Sequence, residues 1–85
     1  MASGSVSKGF QTITLLNSID LDDITVTGLY SYLVTCTNTP TSGNAGNLLV
    51  INGNNFVTQV SFVGNDLYVR RKSKADGTWN AWAVK

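Results

Sequence analysis

Trp79 and Trp82 stand three residues apart in the closing stretch GTWNAW and are the chain's two tryptophans. Indole rings fill cores, and a flat aromatic left on a surface stacks against other rings. In an extended strand neighbouring side chains alternate faces, so rings three apart point opposite ways unless a bulge intervenes. On that reading Trp82 shares a face with Val84, and both belong to the core. Trp79 shares its face with Ala81 and Ala83, which leave room beside it for a neighbouring strand, another subunit or a ligand. The sequence leaves Trp79 open between packing and ligand stacking. With Tyr68, Arg70 and Asn80 it forms the candidate ligand-binding set.

Arg70, Arg71, Lys72 and Lys74 are four of the chain's six basic residues. Beside Tyr68 and Trp79 they could grip single-stranded nucleic acid by charge and stacking. On a strand, however, Arg70 and Lys72 share one face while Arg71 takes the other, within reach of Asp22 or Asp23. Charges along a strand also discourage stray pairing with other sheets. Asp20, Asp22 and Asp23 form the acidic cluster, and capping of one helical turn accounts for them. The twelve-residue calcium loop with its terminal glutamate is absent. With no histidine in the chain, the usual base for a serine or cysteine nucleophile is missing. The sequence therefore points to a non-enzymatic protein without metal or cofactor. NTPTSGNAGN lacks a phosphate-loop lysine and a following helix; it reads as an exposed loop of the kind that often carries binding residues.

Elements must hold these residues in place, and 85 residues supply one domain. Only 13% of the chain is charged and its formal net charge is +1, so no strong field draws in nucleic acid or an acidic membrane. A single cysteine, Cys36, allows no disulfide within the chain and suits a reducing cytoplasm; it reads as a small buried hydrophobe. A core this small gains from a partner, most simply a second copy. Residues 1–9, MASGSVSKG, read as a flexible leader, a cloning remnant or a linker, with no apolar run to serve as a signal or membrane anchor.

Residues 10–85 read as a β-rich domain. FQTITLL begins a half-buried strand. In SIDLDDITVTG, Ser18 or Asp20 caps a single helical turn, Leu21 and Ile24 share its inner side, and Gly28 ends it. Strands follow over Leu29–Thr35, LLVIN, FVTQVSFV, DLYVRRKS and TWNAWAV, joined by Asn52–Gly53, Gly64–Asp66 and Ala75–Gly77. Tyr30, Val50, Phe62 and Val69 are assigned to the core with Leu21, Ile24, Trp82 and Val84. The expected fold is mainly β: a small antiparallel sandwich or barrel-like knob with one short helical turn.

Three stretches, DLDDITVTGLY, NTPTSGNAGNLLVI and LYVRRKSKADGTWNAW, together resemble the pyocin-knob-like domains of bacteriophage tail fibres and phage-tail-like bacteriocins. The resemblance covers residues 19–85. It lies in the order of its parts: an acidic turn before a Gly–aromatic strand, an Asn–x–Pro loop, a strand ending in Arg, and Gly–x–Trp–x–x–Trp. It implies a β-rich knob in a trimeric fibre or a baseplate-attached protein, made in the bacterial host cytoplasm and carried in the virion. Its implied partners are bacterial surface polysaccharide, other tail proteins and copies of itself. A spacer or adaptor knob that trimerises or links fibre to particle is the alternative reading. A single-stranded nucleic-acid binder ranks below both.

Overall fold

The computed structural model describes residues 12–85. The leader over 1–9 and the start of the first strand at Phe10 lie outside them. The described residues form six strands, β1 (Ile13–Leu16), β2 (Gly28–Tyr32), β3 (Gly46–Asn52), β4 (Phe56–Val63), β5 (Asp66–Ser73) and β6 (Ala83–Val84), and one 3₁₀ turn, Leu21–Asp23. All six lie in one sheet in chain order. The mainly β class with a short helical turn therefore stands, as one open sheet rather than two facing sheets or a closed barrel.

From β2 to β6 each strand pairs antiparallel with the next. Turn chemistry explains the meander. Val63 pairs with Asp66, leaving a two-residue loop whose first member, Gly64, has φ 59, the conformation that glycine supplies to a hairpin. β1 instead runs parallel to β2. The chain between them must therefore cross back over the sheet, and it carries the 3₁₀ turn onto one face. The side chain of Asp20 caps that turn by accepting from the Asp22 backbone N–H.

Pairing register divides the strand residues between two faces. Leu16, Tyr32, Leu48, Val50 and Val57 point to the face that the crossing segment covers, and with Leu21 and Cys36 they form the buried core. Gln59, Ser61 and Arg70 are buried on the same face. The Tyr32 and Ser61 hydroxyls are hydrogen-bonded at 2.8 Å, and the Cys36 thiol donates to the Leu16 carbonyl. Burial raises the Tyr32 pKa above its ordinary value, the bond to Ser61 opposing the shift. Gly46 sits so close to this pair that a Cβ would lie 2.6 Å from the Tyr32 hydroxyl and 2.7 Å from the Phe62 carbonyl.

Four expectations are corrected. Phe62 is 48% exposed because register turns it to the opposite face, which nothing among the described residues covers. Val69 is half-buried on that same open face. Val84 does share the covered face, but at the outer edge of the sheet, where it is 63% exposed. Gly28 opens β2 rather than ending the helical turn. Leu21 and Val50 are fully buried, and Ile24, Tyr30 and Trp82 pack against the core as half-buried residues.

Candidate functional site

The closing segment departs most from a regular strand. Lys72 pairs with Trp79, whereas Tyr68 pairs with Val84. Lys72 and Tyr68 lie four positions apart on β5, whereas Trp79 and Val84 lie five positions apart on the closing chain, so the register slips by one residue between Trp79 and Ala83. A slip of one residue exchanges the faces of everything beyond it. Both indoles therefore reach the covered face, and the expectation that they point opposite ways is overturned. Trp79 and Trp82 are each half-buried against the core.

Arg70 joins them. Its guanidinium carbon lies 4.1 Å from the centroid of the Trp79 ring and 4.6 Å from that of Trp82. Such contacts between a desolvated cation and a π face contribute about 2 kcal/mol each. Its Nε donates to Gln59 Oε1 at 2.8 Å, and its Nη1 lies 2.9 Å from an Asp22 carboxylate oxygen. Burial lowers the Arg70 pKa, with Asp22 opposing that shift; the group stays a cation at neutral pH. Nη2 is buried with no acceptor among the described residues.

The post beneath this cation is Gln59. Its amide nitrogen donates to the carbonyls of Leu21 and Ile24 at 2.7 and 2.9 Å. One fully buried amide thus ties the 3₁₀ turn to the sheet while its oxygen holds Arg70. On the rim, Trp79 Nε1 donates to the Asp22 carbonyl and Trp82 Nε1 to the Asn38 carbonyl, at 3.3 and 2.9 Å. Asn38 has φ 58, a left-handed conformation that asparagine tolerates better than most residues. Its side-chain nitrogen donates to Asp20 at 2.7 Å. That bond, then the one from the Asp22 backbone, lowers the Asp20 pKa.

These groups enclose an open cleft of about 580 Å³. Asn38, Thr39 and Pro40 form one wall, Trp79, Asn80, Ala81 and Trp82 the other, and Arg70 with Asp22 the base. Of the candidate ligand-binding residues the cleft gathers Trp79, Arg70 and Asn80. Tyr68, half-buried on the same face, is not among its lining residues. Arg70 enters as the buried support of the rings rather than a free surface cation, and Asp22 pairs with it, not with Arg71. Arg71 lies over the Phe56 ring on the opposite face, so the basic residues form no single patch. Asn38, Thr39 and Pro40 join from the polar loop, which its composition had marked as a surface that can carry binding residues. Gln59 gave no such signal, because a lone glutamine in an alternating strand reads as outward-facing.

Comparison of the chain with known proteins finds no match. No family model fits it, and no curated protein or solved structure is significantly similar to it. The likeness to knob-like domains thus rests on the order of its motifs. The cleft mixes aromatic, polar and charged groups. It offers aromatic surface, side-chain amides and a hydroxyl, and among the described residues no cluster of three or more carboxylates or thiols is placed to hold a metal ion.

Proposed function

We propose that this domain is a non-catalytic module of a bacteriophage tail fibre or baseplate-attached protein that helps the virion attach to bacterial surface glycans. The reading is supported by one observation above others: two indoles held by a single buried guanidinium at the wall of an open cleft. A sugar presents apolar C–H faces and a rim of hydroxyls. Pre-positioned aromatic surface and fixed polar groups match both while little side-chain entropy remains to be lost on binding. Asn80 and Thr39 supply the polar contacts, and the motif order supplies the virion context.

Titration of the protein with purified envelope glycans of a bacterial host, followed by calorimetry, tests this. Asn80→Ala removes an exposed amide from the rim and weakens binding about tenfold, or about 1.4 kcal/mol, with the unfolding midpoint unchanged. Equal affinity of wild type and both Asn80→Ala and Trp79→Phe rejects the cleft as the glycan site. The adaptor-knob reading is favoured by a different observation, the uncovered apolar face of the sheet.

A further inference from the structure

We infer that the open face of the sheet is a self-association surface that packs against a second copy of this chain. The inference stands whether or not the cleft binds a glycan, because the two lie on opposite sides of the sheet. Ile13, Leu15, Ile51 and Phe62 project from this face at 58%, 62%, 48% and 48% exposure. Leu29, Leu49, Val60, Leu67 and Val69 lie half-buried among them. This departs from an ordinary half-solvated sheet, whose outward residues are polar. Here both sides carry large apolar residues: Leu16, Tyr32, Leu48, Val50 and Val57 on the covered side, and Ile13, Leu15, Ile51 and Phe62 on the uncovered one.

Three observations select a like copy as the occupant. The first is area. With roughly 180 Å² for each fully exposed large apolar residue, the face presents on the order of 600 Å². That approaches the roughly 800 Å² each partner contributes to a standard interface, and reaches the upper end of patches found on monomers. The second is charge. Of the strand residues on this face Arg71 alone is charged, and it lies at the margin over Phe56. Two such faces meet without repulsion and without burying an unpaired ion. The third is shape. Phe62 projects beside a shallow groove of about 240 Å³ that it lines with Ile13, Leu29 and Leu49. A projecting ring next to a depression is what a self-complementary pairing requires.

Sedimentation of the full chain over a dilution series tests the inference. The wild type runs as an oligomer that dissociates on dilution, and the double variant Ile51→Lys, Phe62→Lys runs as a monomer with an unchanged far-ultraviolet spectrum. A wild type that is monomeric at every concentration, or a folded double variant with undiminished association, overturns the inference. Should the double variant not fold, the thiol introduced by Ile51→Cys decides. Labelling that slows as protein concentration rises supports a second copy. Labelling that is fast at every concentration, which leaves the face to a different partner, or slow at every concentration, which places the chain's own residues over it, overturns the inference.

Discussion

Arg70 shows how a residue type can mislead when its partners are out of sight. Arginine is rarely buried unless paired, and its place among Arg71, Lys72 and Lys74 reads as a solvated edge. In the fold it is a 6%-exposed interior post because Gln59, Asp22 and two indoles converge on it. None of those partners is adjacent to it in sequence. Gln59→Leu keeps the volume but strands Arg70 Nε and the carbonyls of Leu21 and Ile24. Denaturant unfolding then shows a loss of about 3 kcal/mol. Asp20 gives a pH signature. Its folded pKa lies below its ordinary value, held there by Asn38 and the Asp22 amide. Its contribution to stability is therefore complete above the unfolded pKa of about 3.9 and lost as pH falls through the folded value. Asp20→Asn flattens that acid limb of the thermal midpoint against pH; an unchanged limb contradicts the assignment.

Among the elements, local chemistry determines the hairpins and a non-local slip determines the site. Asn52–Gly53 and Gly64 mark their turns in the sequence, and β4 and β5 run over the expected FVTQVSFV and DLYVRRKS. The polar loop and the capped turn at Asp20 are legible for the same reason, since capping and turn residues act on their immediate neighbours. The parallel pairing of β1 and the one-residue slip before Ala83 are not, because each depends on what a distant strand offers. That slip decides where Trp79 points. Deletion of Ala81 makes the two intervals equal, so plain alternation, without the extra residue, then holds both indoles on the covered face. Indole emission then stays unshifted; a shift to the red, with a ring released to solvent, contradicts the role of the slip. Gly46→Ala probes the tightest strand contact. The added methyl meets the Tyr32 hydroxyl and the Phe62 carbonyl, lowering stability by about 2 kcal/mol in the same unfolding assay.

At the scale of the whole molecule the sheet separates two surfaces of different chemistry. One side carries the cleft with its indoles, amides and guanidinium, and the other carries the apolar face, where Arg71 at the margin is the one charged strand residue. Packing of copies through the apolar face leaves every cleft directed outward, so several clefts can meet one polymeric glycan. Such multivalency multiplies weak single-site binding without new contacts. The monomeric Ile51→Lys, Phe62→Lys variant accordingly loses roughly 100-fold in apparent affinity for a glycan-coated surface, while its affinity for a short soluble oligosaccharide is unchanged. Equal losses for both ligands place the variant's effect in the cleft rather than in assembly.

The most direct measurement of the central claim uses the fact that the chain holds two tryptophans and so gives two indole N–H signals by nuclear magnetic resonance. Titration with envelope glycan shifts both signals together and saturably, because both rings wall one cleft and share one cation. Saturable glycan binding that leaves both signals in place, or titration to high glycan concentration without any binding, contradicts it.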